Sequence, residues 1–145
     1  MTLQDQVPES ALVEPPVLNA NDEPCLVVFK NGAKTGTTTG KANNVSSYTR
    51  SYFAGQYQES REWPVIPTDK NPRSFFHSIT KAFSTKGDSG SCVADIVGRF
   101  GGILTGGSGA TDSCDVTYVT PISFIMKVIH DTKRFKHAHL NPDLV

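Results

Sequence analysis

Short apolar or alternating runs, cut by Gly, Pro and Asn, fill the chain from Cys25 to about Val119. Cys25-Leu26-Val27-Val28-Phe29 is a continuous apolar run closed by Asn31-Gly32, which predicts a buried strand ending in a turn. Thr35 to Val45, rich in Thr and Gly, predicts a second strand folding back on the first. Tyr48 to Phe53 alternates and predicts a third. Glu62 to Pro67 holds the sole tryptophan, Trp63, next to prolines, and is expected as a loop or a sheet edge. Phe75 to Phe83 alternates, with Phe75, His77, Ile79 and Phe83 on one face. Ser91 to Val97 predicts a strand that Gly98-Arg99-Phe100-Gly101 turns into Gly102 to Thr105, and Val116 to Val119 predicts the last.

The period then changes. Thr120 is a credible N-cap and Pro121 stands at the first helical position, where its missing N–H costs nothing. Ile122, Ile125, Met126 and Ile129 recur at helical spacing, and Lys133 and Arg134 close the run where positive charge suits the helix dipole. About six short strands and one terminal helix predict an all-β fold: a six-stranded antiparallel β-barrel with one C-terminal α-helix.

Composition narrows the picture at the ends. Residues 1–23 hold scattered acids, Pro8, Pro15 and Pro16, and few large apolar groups, so a disordered tail or linker is expected there. Residues 24–135 form the expected domain, and 136–145 a flexible tail. Lys plus Arg balance Asp plus Glu at 14 each, which favours neither nucleic acid nor an anionic membrane surface as a partner. No apolar run is long enough to cross a bilayer and the first residues do not read as a secretory signal, so an intracellular location is expected. Cys25, Cys92 and Cys114 are odd in number and lack metal-type spacing. Reduced thiols, no metal and no cofactor are the expectation.

The chemistry is concentrated in Gly87-Asp88-Ser89-Gly90-Ser91. A serine attacks a carbonyl well when its Oγ is exposed on a tight turn whose N–H groups face the developing oxyanion. Glycines at 87 and 90 permit such a turn, although the same residue types also dominate ordinary turns. Gly36-Thr37-Thr38-Thr39-Gly40-Lys41 hints at a phosphate loop, but it is one residue short between its glycines and Ala42 stands where Ser or Thr is required.

The 87–91 stretch resembles the nucleophile loop of trypsin/chymotrypsin-like serine peptidases. The segments downstream of it match that family in order too: a strand, a turn, a second strand ending in Thr105-Gly106-Gly107, one more strand and a terminal helix. Upstream, Lys30-Asn31-Gly32-Ala33-Lys34-Thr35-Gly36-Thr37-Thr38-Thr39-Gly40 is similar to the entry of the second barrel in intracellular trypsin-like proteins, many of them fungal. The resemblance covers about three quarters of the chain. It implies the C-terminal, nucleophile-bearing barrel of that fold. Ser89 would be the nucleophile, and the N–H groups of Gly87 and Ser89 the oxyanion hole. Thr105, Gly106 and Gly107 would pair with an extended peptide or protein substrate. Phe83 falls near the base of the substrate side-chain pocket, where an aromatic argues against Arg or Lys, or else is plain core packing.

A serine of ordinary acidity needs a base, usually His held by Asp. In the resembled family both come from the first barrel, for which this chain has no counterpart. His77 falls on an apolar strand face, while His130, His137 and His139 lie at or beyond the helix end. The expectation is therefore a serine endopeptidase lobe, inactive alone, with an apolar patch flanking Ser89 and a tendency to pair with a first-barrel lobe or with itself. The alternative is a protease-like domain that binds extended peptides without cutting them.

Overall fold

The computed structural model describes residues 5–15, 17–18, 22–68, 82–109 and 116–140. Within them lie eight strands: β1 (Val17–Leu18), β2 (Pro24–Gly32), β3 (Gly36–Ala42), β4 (Ser47–Phe53), β5 (Gln56–Pro67), β6 (Cys92–Asp95), β7 (Phe100–Ser108) and β8 (Val116–Pro121). Helix α1 (Glu9–Val13) precedes them and α2 (Ile122–Asp131) comes after. The sheet runs β1-β2-β3-β5-β8-β7-β6, every strand pair is antiparallel, and β2 also pairs with β6. The path from β2 to β6 thus returns to its start through six strands. The expected count of six is exceeded by the two-residue β1 and by β4, which pairs with β5 alone.

Alternation along β2 sets the interior. Leu26, Val28 and Lys30 share the buried face, and Leu26 and Val28 pack with Ala42, Trp63, Val65, Phe83, Val93, Leu104 and Val119. Period-two alternation puts every second residue of a strand on one face, so these strands jointly line one core.

The expectation of a loop at Glu62–Pro67 is corrected: this stretch is the C-terminal half of the twelve-residue β5. Trp63, Pro64 and Val65 pair with Val119, Tyr118 and Thr117 of β8. Pro64 is tolerated because its carbonyl accepts from the Asn43 N–H at 2.9 Å, one residue beyond the end of β3. Backbone N–H and C=O of one strand residue point to the same side, so the donor that Pro64 lacks faces that strand end and not the β8 ladder.

Two further corrections concern the ends. The expected disordered stretch 1–23 packs on the sheet where it is described. The Val7 N–H donates to Phe100 O, Phe100 N–H donates to Asp5 O, and Val7 and Ala11 join the core. Helix α2 begins one residue later than expected, with Pro121 at the cap and no side-chain cap bond. The Thr120 hydroxyl donates instead to Glu62 Oε2 at 2.8 Å. Ile122 of the expected apolar stripe is buried and Ile125, Met126 and Ile129 are half-buried. Phe75, His77 and Ile79, like Cys114, lie outside the described residues, whereas Cys25 and Cys92 are free thiols. Among the described residues no helix is long and apolar enough to cross a membrane.

Candidate functional site

Residues Phe83 to Ser91 lead into β6, and their backbone is held on the β6 side. The Gly90 N–H donates to Leu104 O at 2.8 Å and the Leu104 N–H to Ser91 O at 3.0 Å, fastening the loop to β7. Asp88 N–H donates to Thr85 O and Ser91 N–H to Asp88 O, each at 3.1 Å. Gly87 and Gly90 have φ of 96° and 87°, a region costly for residues with a Cβ. Between them Ser89 is exposed. Among the described residues, the N–H groups of Gly87 and Ser89 donate to no backbone carbonyl, unlike those of Asp88, Gly90 and Ser91.

Beneath the turn lies a buried ion pair. The Asp88 carboxylate accepts from Lys34 N–H (2.8 Å), Thr35 N–H (3.2 Å), the Thr35 hydroxyl (2.7 Å) and Thr85 N–H (3.1 Å). Lys30 Nζ stands 3.4 Å from Asp88 Oδ2, both side chains fully buried, and donates to Thr35 Oγ1 and to Gly36 O. Burial by itself would push the Asp88 carboxyl up, but the hydrogen bonds from Thr35, Lys34 and Thr85 outweigh it. The group is held well below the usual carboxylate range. Gly32 makes the approach possible, since a Cβ there would overlap the carboxylate, with Cγ only 2.6 Å away. The β2–β3 turn and the Ser89 loop are thereby one polar unit. The Lys30 ammonium also lies 5.7 Å from the centre of the Phe83 ring.

Of the residues expected to receive a peptide, Thr105 and Gly107 are exposed and Gly106 is half-buried. Gly106 and Gly107 pair with Tyr118 and Thr117 of β8, after an irregularity between Leu104 and Gly106 that leaves Thr105 unpaired. On the other side of β7, pairing with β6 ends at Cys92 opposite Ile103. The stretch from Thr105 onward therefore has an open edge among the described residues, starting where Leu104 meets the Ser89 loop. Phe83 is fully buried: its ring packs against Gly40 in the core and its carbonyl accepts from the Thr38 hydroxyl at 2.7 Å.

Other expected elements are not brought together. Among the described residues the Ser89 hydroxyl has no hydrogen-bonded partner, His77 lies outside them, and His130 Nε2 is engaged with Ala138 O at 2.7 Å. Exposed large apolar side chains among the described residues include Tyr48, Tyr52, Phe53 and Tyr57 on the β4–β5 hairpin, Phe124 and Val128 on α2, and Ile96 and Val97 in the β6–β7 turn. A cleft of about 260 Å³ opens between α1, β5 and α2, lined by Leu12, Arg61, Trp63, Phe124 and Lys127 among others, and Ser89 takes no part in it. Among the described residues no group of three His, Cys, Asp or Glu side chains could hold a metal. No protein-family model and no curated protein matches the chain.

Proposed function

We propose that the chain is the nucleophile-bearing lobe of a serine endopeptidase, built as the six-stranded barrel of the trypsin-like fold from β2, β3, β5, β8, β7 and β6. One observation carries the reading: Ser89 is exposed on a glycine-flanked turn in which, among the described residues, the N–H groups of residues 87 and 89 are not spent on backbone carbonyls. Donors left free beside an exposed hydroxyl are what a tetrahedral oxyanion requires. The open β7 edge from Thr105 to Gly107 supports pairing with an extended peptide beside that serine. The ion pair and hydrogen bonds beneath the loop support its rigidity, because they tie Asp88 to β2 and to the turn that follows it.

In this reading Ser89 Oγ is the nucleophile, Gly87 and Ser89 supply the oxyanion hole, and the base comes from a completing lobe. An oxyanion hole and substrate positioning without the His–Asp pair retain roughly 10³–10⁴-fold catalysis over water, far below a working peptidase. The Ser89 hydroxyl, unbonded among the described residues, gives some weight to a second reading, a peptide-binding domain that does not cut.

A fluorophosphonate probe separates these possibilities. The isolated chain should label slowly, at Ser89 above other serines, with imidazole as an external base speeding the reaction and Ser89→Ala removing it. Labelling no faster than that of Ser89→Ala, with or without imidazole, would leave only the binding domain. Rapid labelling of the chain alone would show that it carries its own base.

A further inference from the structure

Four charged side chains are buried among the described residues: Lys30, Glu62, Asp88 and Asp95. Lys30 and Asp88 neutralise one another. Asp95 is bound by Arg99, whose Nε lies 2.7 Å from Oδ2, and by the N–H groups of Val97 and Arg99. Glu62 is 5 % exposed and has no cation among the described residues. Its Oε2 accepts from the Thr120 hydroxyl at 2.8 Å, with the Thr105 hydroxyl 3.4 Å away. Its Oε1 accepts from no described residue, yet no buried side-chain oxygen is sealed off without a partner, so Oε1 reaches the surface.

The position is informative. Trp63 and Val65 of β5 point into the core, as do Thr117 and Val119 of β8. Glu62 and Thr120, one residue away, therefore lie on the outer face of the sheet. Thr105 joins them there from β7, at the irregularity where the open edge begins. The carboxylate thus stands behind the edge proposed to receive a peptide, with Thr105 between the two. Gly106 and Gly107 put no side chain in the way.

A buried carboxylate is costly unless it is paired, and two neutral hydroxyls do not neutralise it. We propose that Glu62 is the seat for a cationic N–H donor brought to the Thr105 edge, held jointly by the carboxylate and the Thr105 and Thr120 hydroxyls. β8 and β7 separate the strand of Glu62 from the open edge, and the Glu62 side chain itself spans β8 to come within 3.4 Å of the Thr105 hydroxyl. With strands about 4.8 Å apart, a guanidinium on a peptide paired with β7 has only β7 to cross to reach the carboxylate. An imidazolium from a completing lobe uses the same donors and would be oriented beside Ser89. The inference rests on the proposed function for what the edge is, but it is tested by binding alone.

The test monitors the Glu62 carboxyl carbon and the Thr105 and Thr120 methyls by NMR in the full chain. Imidazole at pH 5.5, where it carries its proton, and methylguanidinium at neutral pH are the two probes. At least one should give a saturable shift of all three signals, half complete at about 10 mM, the weak affinity expected of so small a ligand. Glu62→Gln should weaken that binding at least tenfold, and Thr105→Val severalfold. Tighter imidazolium binding would identify a histidine as the natural occupant, and tighter guanidinium binding a basic peptide. Linear shifts with both probes in the wild-type chain, or equal binding by Glu62→Gln, would overturn the proposal whatever Ser89 does with a fluorophosphonate.

Discussion

Breaking the Lys30–Asp88 pair from either side should destabilise the chain unequally. Replacing Lys30 by Met removes the ammonium but leaves the carboxylate its four other donors: three backbone N–H groups and the Thr35 hydroxyl. Replacing Asp88 by Ala strips those donors of their acceptor and leaves the fully buried ammonium with only Thr35 Oγ1 and Gly36 O. Removing one partner of a buried pair costs about 3–5 kcal/mol, and each stranded buried donor adds about 1–3 kcal/mol. Lys30→Met should therefore lie at the lower end, about 3 kcal/mol. Asp88→Ala should exceed 5 kcal/mol, a large share of a domain's usual 5–15 kcal/mol. The readout is urea unfolding monitored through Trp63, the sole tryptophan, which is 3 % exposed and reports core opening. With a slope of about 2 kcal/mol per molar urea, Lys30→Met should lower the midpoint by about 1.5 M. The double variant Lys30→Met/Asp88→Asn should cost less than the sum of its singles by at least 1 kcal/mol. Additive losses, or a Lys30→Met penalty below 1 kcal/mol, would refute the coupling of Lys30 on β2 to the Ser89 loop.

Because the folded Asp88 carboxyl titrates below its unfolded value of about 3.9, the unfolded chain takes up its proton first. The contribution is full above about pH 4 and lost as pH falls further; the urea midpoint of wild type minus that of Asp88→Asn should shrink below pH 4, and a constant difference would contradict this. Gly32→Ala should cost about 1–3 kcal/mol by driving a methyl into the Asp88 carboxylate, and should slow fluorophosphonate labelling of Ser89; unchanged stability and labelling would show that the loop does not need that approach. Burial pushes the Cys92 thiol up, so its alkylation by iodoacetamide at pH 7.5 should be much slower than that of a free thiol, and an equal rate would count against the packing of β6.

Much of the sheet is legible in the sequence because period-two patterning is local: the runs at 48–53 and 116–119 form strands within two residues of their expected bounds, whereas the run at 25–29 extends through the expected Asn31-Gly32 turn, both residues pairing with β3. The 87–91 stretch is legible for the same reason, since glycine–serine chemistry over five residues states what the backbone there can do. Glu62–Pro67 reads wrongly from local pattern because proline usually marks an edge, and only the end of β3 at Ala42 explains why Pro64 is harmless. Thr120 suits a helix cap on local grounds, but a buried carboxylate on a neighbouring strand takes its hydroxyl. Val7 and Ala11 enter the core although their own segment is too polar to form one, because the sheet offers a surface already built.

The amino-acid sequence by itself determined the strand-rich class, the terminal helix and the turn that exposes Ser89, since each depends on residues a few positions apart. The partners depend on contacts across the chain. The burial of Lys30 and its pairing rested on a contact 58 residues away in sequence at Asp88. Glu62, Thr105 and Thr120 came together only when β5, β8 and β7 paired. Antiparallel pairing sets register by the whole buried face, so those meetings were decided by the tertiary structure and written in no single stretch of the chain.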